Sequence, residues 1–182
     1  RTRLSFYLAI KQLGGGTITL RSSELHLGEG GETLEDTAKI LSTYGDGFML
    51  RTDSDEKIEN FQNHLSIPII NGLSPSSHPT QVLSDVFTVE EITKKPISKL
   101  NITWIGDSNN VLNSLIAASV KLNFKLNIGC PKKYQPKKFI LDWVKKNKKK
   151  IHIFHDAKSA AINADVIFSD KVISLNDRLN KK

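Results

Sequence analysis

Cysteine is nearly absent from this sequence, which has only Cys130 among its 182 residues. A single cysteine excludes an internal disulfide and is typical of a reducing compartment, so we expect a cytoplasmic location. Long apolar runs are missing too, since none approaches the roughly 20 residues that a membrane-spanning helix needs. The opening RTRLSFYLAIKQLGG is too interrupted by charge for a secretory signal. We therefore expect no membrane partner.

Acidic charge is also in short supply, because 26 Lys and Arg residues face 19 Asp and Glu, a net charge of +7. Much of the excess lies in KKYQPKKFILDWVKKNKKK (132–150). Such a run usually coats a solvated helix face, and this one lacks regularly interleaved aromatic platforms for stacking bases. Nucleic acid is therefore not an expected partner. A nucleic-acid binder stays open as an alternative and would show a steep salt dependence of affinity.

What the chain does contain is an alternation of helix-like and strand-like segments. Helical spacing and caps, such as Thr33 with Asp36 before an apolar run closed by Gly45, predict helices. They cover residues 2–13, 32–44, 54–65, 78–92, 109–123, 137–147 and 157–164. Short apolar runs predict strands at 17–20, 47–51, 67–70, 101–106, 124–129, 151–154 and 165–169. This order predicts an α/β protein with parallel sheets and helices on both faces.

The least structured boundary is TKKPISK (93–99), which predicts two domains, 1–92 and 93–182. In parallel sheets, ligands bind beyond the carboxyl ends of strands, where loops enter helices. Four places fit that rule: Arg1–Arg3, Arg51, His78–Gln81 and Asp107–Asn110. Cations and hydrogen-bonding groups beside free helix N–H groups suit an anion. Taken singly, each has an ordinary explanation: a surface ion pair for Arg51, a capping or buried imidazole for His78, and a turn feeding an Asn cap for GDSNN.

The order of the motifs is more specific than any one of them. RTRLSF, LHLGEGGETLEDTAKIL, MLRT, HPTQVLSD and WIGDSNNVLNS follow one another along the chain. This series closely resembles the transcarbamylase family, in register over nearly the whole length. GDSNNVLNS and the LHLG…ETLEDTA stretch resemble the ornithine branch more than the aspartate branch, whereas HPTQ is shared by both.

The resemblance implies transfer of the carbamoyl group of carbamoyl phosphate to ornithine, giving citrulline, within arginine metabolism. Arg1 and Thr2 match part of the family's S-T-R-T-R phosphate loop. Arg51 and His78 would be the catalytic residues, donating with Thr2 to the carbonyl oxygen as negative charge develops there. Gln81 would accept from the carbamoyl nitrogen, and Pro79 would begin the helix without sacrificing an N–H.

On the ornithine side, Asn110 matches the asparagine that holds the carboxylate end. In SDKVISL, Asp170 and Ser174 match the family's D-x-W-x-S-M motif, with Leu175 in the methionine position. Val172 stands where tryptophan is usual, and Lys171 adds a cation beside Asp170. The reaction needs no cofactor and no metal, so orientation and electrostatics would carry the rate.

The resemblance further implies a homotrimer in which the LHLG loop reaches a neighbouring site, with His26 contributing to carbamoyl phosphate binding in trans. The family's S-T before Arg1, its H-C-L-P segment and a later arginine have no counterpart here, so we expect a chain truncated at both ends, with an incomplete second domain. Two function classes follow: an ornithine-using carbamoyltransferase, or an inactive transcarbamylase-derived fragment or anion-binding protein.

Overall fold

The structure is a computed structural model that describes residues 1–21, 24–25, 31–149 and 151–170. It divides into two compact units, Arg1–Pro75 and Ser76–Lys182. The units are described separately below. The predicted α/β class is confirmed, since both units contain parallel strands with helices between them.

The first unit contains helices α1 (Thr2–Gln12), α2 (Leu34–Tyr44) and α3 (Asp55–His64) and strands β1 (Phe48–Arg51) and β2 (Ile69–Leu73). The two strands pair in parallel, and a register shift after Leu50 sets Arg51 opposite Leu73. Thr33 caps α2 by accepting from the Asp36 N–H at 3.1 Å, and Gly45 ends the helix, as predicted. Ala38 and Phe61 are the only buried apolar side chains of the first unit among its described residues.

The strand predicted at TITL (17–20) is wrong. These four residues form no strand and are exposed, with Ile18 at 74%. The apolar alternation suggested a strand, but among the described residues β1 pairs only with β2, so no sheet edge receives this segment. A single extended segment gains no ladder hydrogen bonds to offset the conformational entropy lost when it is ordered. The loop after Gly14–Gly16 therefore stays irregular.

The second unit begins with α4 (Pro79–Thr93) and a short 3₁₀ turn, Ile97–Lys99. Four parallel strands follow, in the spatial order β5-β4-β3-β6. Their bounds are β3 Asn101–Ile105, β4 Lys125–Gly129, β5 His152–Phe154 and β6 Val166–Ser169. The helices between them are α5 (Asn110–Leu122), α6 (Lys138–Lys146) and α7 (Ala157–Ala161). Another 3₁₀ turn, Lys132–Tyr134, follows β4.

Alternate residues of β3 and β4 face two different layers, as the period of two requires. Thr103 donates to the Ala160 carbonyl at 3.1 Å, so this face of the sheet packs against α7. Gly129 lies on the same side, where an added Cβ would come within 2.8 Å of the Ala160 Cβ. The other face carries the core of the unit, a cluster that includes Ile102, Trp104, Leu126 and Ile128 with residues of α4, α5 and α6.

Helix α4 belongs to the second compact unit, because the division falls at Pro75 and Ser76. Val82, Val86 and Val89 of α4 are buried in the core cluster of that unit. The boundary predicted at residue 92 separates the regions that bind the two ligands, and packing alone does not test it. That boundary therefore stays a prediction.

Candidate functional site

In the first unit, the end of β1 meets the start of α1. Arg51 donates from Nη1 to Thr2 Oγ1 at 2.7 Å, across 49 residues of sequence. Arg1 is the N-cap of α1 and makes no side-chain capping bond, and the first turn of α1 contains no acidic residue. Free N–H groups and the positive end of the helix dipole therefore lie beside a guanidinium. This arrangement suits a phosphate group.

The charge of Arg51 is not neutralised within the described part of the chain. The ion pairs found there, Lys39–Glu35 and Lys57–Asp53, both lie elsewhere. Asp53 follows Arg51 by two residues, but its carboxylate accepts from Lys57 at 3.3 Å. That hydrogen bond lowers the pKa of Asp53. Among the described residues, the structure therefore shows no surface ion pair of Arg51, which was the ordinary explanation for this residue.

In the second unit, His78 and Pro79 form the entrance to α4, with His78 as N-cap and Pro79 as first helical residue. The predicted helix start at Pro79 is therefore confirmed. The His78 side chain makes no capping hydrogen bond, and its Nδ1 lies 3.4 Å from Thr80 Oγ1. Its backbone N–H donates to Ser114 Oγ of α5 at 2.8 Å. Ser114 Oγ donates in turn to the Asn110 carbonyl, which fixes the entrance of α4 against the first turn of α5.

Gln81 lies one turn into α4, and its Nε2 donates to Asp85 Oδ1 at 2.9 Å. Gln81 is exposed and Asp85 is half-buried. Burial raises the pKa of Asp85, while the hydrogen bond from Gln81 and the nearby charge of His78 oppose that rise. A partly desolvated carboxylate so close to an amide holds that amide in one orientation.

The crevice between β3 and β6 is the topological switch point of the second sheet, because the chain runs from β3 through β4 to β5 and returns to the other side of β3. Asn109 and Asp170 follow these two strands. Asn109 Oδ1 caps α5 by accepting from the Val111 and Leu112 N–H groups, each at 3.0 Å. Its Nδ2 donates to Asp170 Oδ2 at 2.7 Å. The Asp170 carboxylate held here can accept hydrogen bonds from a cationic group such as an ammonium.

The sequence analysis assigns ornithine binding to Asn110, which stays a prediction, and it does not anticipate the contact of the neighbouring Asn109 with Asp170. Asn110 is the first residue of α5, and its carbonyl accepts from Ser114. The signal for Asn109 was present, since GDSNN was considered as a turn feeding an Asn cap. What the sequence lacked was any indication that the same amide reaches Asp170, 61 residues away.

Other predicted site residues are distributed as follows. Thr2 and Arg51 are brought together in the first unit, whereas His78 and Gln81 belong to the second, so their grouping with Arg51 stays a prediction. His26, Ser174 and Leu175 lie outside the described residues. The described residues contain no cluster of three or more metal-binding side chains. They also contain no helix with the length and apolarity that crossing a membrane requires.

Two further features lie away from these residues. A cavity of about 530 Å³ lies between the end of α2 and the loop before β2, lined by Ser42–Asp46 and Ser66–Pro68. It therefore opens at the amino ends of β1 and β2, opposite to the edge where parallel sheets bind ligands. Cys130 is fully buried after β4, and its thiol donates to the Tyr134 carbonyl at 2.8 Å. Burial raises the pKa of this thiol, as is typical of a structural cysteine.

Curated relatives of the chain include ornithine carbamoyltransferases. That of Brucella ovis is 42% identical over 175 residues, which cover 96% of this chain and 55% of the relative. That of Agrobacterium fabrum is 37% identical over 176 residues, 97% of this chain and 57% of the relative. The chain therefore spans little more than half the length of these proteins.

Solved structures with the same fold carry the same name. The anabolic ornithine carbamoyltransferase of Campylobacter jejuni superimposes with a TM-score of 0.86 at 35% identity, covering 99% of this chain and 60% of that one. The Pyrococcus furiosus enzyme also gives 0.86, at 34% identity, covering 100% and 58%.

Family models account for both parts of the chain. The carbamoyl phosphate-binding domain of aspartate/ornithine carbamoyltransferase matches residues 1–91. The aspartate/ornithine-binding domain of the same family matches residues 98–182. Because the two models follow one another in order and leave few residues unmatched, the chain belongs to the aspartate/ornithine carbamoyltransferase family.

Proposed function

We propose that the chain binds carbamoyl phosphate and ornithine and carries the residues of an ornithine carbamoyltransferase, which transfers the carbamoyl group to the ornithine side-chain amine and releases phosphate. The observation that carries the proposal is the hydrogen bond from Arg51 to Thr2 at the start of α1. It places an unneutralised guanidinium beside free helix N–H groups, as a phosphate-binding site requires. The relatives from Brucella and Agrobacterium support ornithine as the acceptor.

Carbamoyl phosphate is held, in this proposal, by Arg1, Thr2, Arg51, His78 and Gln81. The phosphate interacts with the start of α1 and Arg51. Arg51 and His78 direct donors at the carbonyl oxygen, where negative charge grows as the amine attacks. Gln81 accepts from the carbamoyl nitrogen. His26 is a further proposed contributor, from a neighbouring subunit.

Ornithine interacts with Asn110, Asp170, Ser174 and Leu175. Asp170 receives the α-ammonium group, and the contact from Asn109 supports this role because it fixes one carboxylate oxygen of Asp170 and leaves the other for the substrate. The neutral side-chain amine then attacks the carbamoyl carbon. Positioning and electrostatic stabilisation supply the rate, and no cofactor takes part.

The proposal includes a homotrimer, a cytoplasmic location and a role in arginine biosynthesis. The near absence of cysteine supports the location. The anabolic relative from Campylobacter jejuni supports the biosynthetic role.

A second candidate is an anion-binding protein without catalysis. The observation in its favour is that the chain spans 55% of the length of its Brucella relative. Loss of a single preorganised donor to the developing oxyanion costs about 10²–10³ in rate. Since the family's later arginine and its H-C-L-P segment have no counterpart among the 182 residues, we expect citrulline formation near background for these residues alone.

A citrulline assay combined with calorimetry measures carbamoyl transfer and binding at the proposed carbamoyl phosphate site separately. The purified 182-residue protein is incubated with carbamoyl phosphate and ornithine, and binding of the stable analogue phosphonoacetamide is measured in parallel. Analogue binding with little citrulline is the expected result. Robust turnover would show that these residues form a complete catalytic site. Absence of both turnover and analogue binding would overturn the proposed carbamoyl phosphate site.

A further inference from the structure

Gln81 occupies a helix position from which glutamine usually caps the helix. It is the third residue of α4 after the N-cap His78, and a glutamine there commonly reaches back to the N-cap backbone N–H. In this protein the His78 N–H donates to Ser114 Oγ at 2.8 Å instead. The capping role is therefore filled from α5, and the Gln81 side chain extends one turn forward to Asp85.

The contact with Asp85 determines which end of the Gln81 amide is available. An ionised carboxylate can only accept hydrogen bonds, so it selects the NH2 end of the amide. Nε2 lies 2.9 Å from Asp85 Oδ1, and no described residue donates to the Gln81 carbonyl oxygen Oε1. Oε1 is therefore the end of the amide left to interact with a ligand. Without Asp85, the amide could rotate by about 180° and exchange its oxygen and nitrogen at little cost in free energy.

We propose that Asp85 is a positioning residue that makes Gln81 select a ligand with an NH2 group on its carbonyl carbon over one with a methyl group there. This inference rests on the proposed carbamoyl phosphate site. A fixed Oε1 accepts from the carbamoyl NH2, whereas a reversed amide would direct its own NH2 at that group and lose the hydrogen bond. Asp85 acts through Gln81 and does not contact the reacting atoms.

The burial of Asp85 supports this role. The carboxylate is half-buried, and desolvation raises its pKa, so keeping it ionised has an energetic cost. A surface pair of glutamine and aspartate one turn apart contributes weakly to helix stability. Helix stability alone is therefore a poor reason for a carboxylate at this position, whereas fixing an amide for a ligand is a sufficient one.

The test compares two phosphonates of nearly equal shape. Phosphonoacetamide carries the NH2 group, and acetonylphosphonate has a methyl group in its place. Calorimetry with the 182-residue protein gives the ratio of their affinities for the wild type, for Asp85→Asn and for Asp85→Ala. The matched control is Glu91→Gln, which removes the same charge from an exposed position of α4.

We expect the wild type to bind phosphonoacetamide about tenfold more tightly than acetonylphosphonate, because one hydrogen bond to the NH2 group contributes on that scale. Both Asp85 variants should lower this ratio by about two- to tenfold, the cost of ordering one free side chain on binding, while acetonylphosphonate affinity is unchanged. Glu91→Gln should keep the wild-type ratio. A positioning role is overturned if Asp85→Ala keeps the ratio, or if it weakens both ligands equally as a purely structural defect would.

The outcomes also separate this inference from the proposed function. Phosphonoacetamide binding with an unchanged ratio in both variants would refute the role of Asp85 and leave the carbamoyl phosphate site intact. A wild type that binds neither phosphonate would refute both. Asp85→Asn preserves the volume of the side chain but can both accept from Nε2 and donate to Oε1, so the pair can reverse. A smaller fall in the ratio is therefore its expected result if Asp85→Ala does not fold. Circular dichroism of each variant checks the fold.

Discussion

Arg51 is the residue on which the proposed anion site of the first unit depends most directly. Its contact with Thr2 Oγ1 uses one nitrogen of a guanidinium that has five N–H donors, so most of its donors remain for a ligand. No ion pair within the described residues competes for the charge. Arg51 therefore combines a fixed position with unused hydrogen-bonding capacity.

Replacing Arg51 by alanine should weaken phosphate binding by about 1.5–3 kcal/mol, the scale of hydrogen bonds to a charged partner. Arg51→Lys should give an intermediate loss, because lysine keeps the charge but not the planar fork. Calorimetry with inorganic phosphate measures both. Lys11→Ala, at the other end of α1, serves as the control for lost charge. Equal phosphate affinity in Arg51→Ala and the wild type would remove Arg51 from the site.

At the scale of single elements, Asn109 links the start of α5 to the end of β6. One amide both caps the helix and holds Asp170, so its oxygen and nitrogen have separate structural consequences. Because the two interactions use different atoms, substitutions can remove one and keep the other.

Asn109→Ala should destabilise the protein by about 1 kcal/mol, the usual value of an N-cap side chain. Asn109→Ser should recover most of that stability, since serine also caps, but it lacks the amide donor for Asp170. Urea denaturation measures the stabilities. Calorimetric titration with ornithine should show weaker binding in both variants. Wild-type ornithine affinity in Asn109→Ser would mean that the contact with Asp170 does not prepare the substrate site.

Local sequence determines where some helices begin and end, but it does not determine the contacts between distant segments. The cap of α2 at Thr33 and the start of α4 at Pro79 are local, and both were predicted from a few neighbouring residues. The contact between Asn109 and Asp170 depends on β6 returning beside β3, which no local pattern specifies. The strand prediction at TITL (17–20) was wrong for the same reason. Its apolar alternation was genuine, but a strand also needs a partner strand.

On the scale of the whole molecule, the two units differ in how many apolar side chains they bury. The second unit contains a large buried cluster, whereas α1 of the first unit has no buried residue. Large apolar side chains are exposed on both α1 and α4: Leu4 at 62%, Leu8 at 45%, Leu83 at 63% and Phe87 at 66%. On each helix the two exposed side chains lie one turn apart, and exposed apolar surface of this kind favours association.

We expect concentration-dependent association by sedimentation, in agreement with the proposed trimer. Substituting Phe87 by glutamate should shift the distribution towards monomer, because a charge would then have to be buried on association. Phe139 of α6 is similarly exposed, at 63%, and Phe139→Glu is the matched control. A wild type that sediments as a well-behaved monomer at all concentrations would contradict the trimer.

The buried thiol of Cys130 has a practical consequence for such measurements. It is the only sulfhydryl in the chain and lies fully covered beside the core of the second unit, where it donates to a backbone carbonyl. Two folded copies therefore cannot be oxidised into a covalent pair through it. A disulfide-linked dimer in an aged preparation would therefore report that some molecules opened locally around the end of β4.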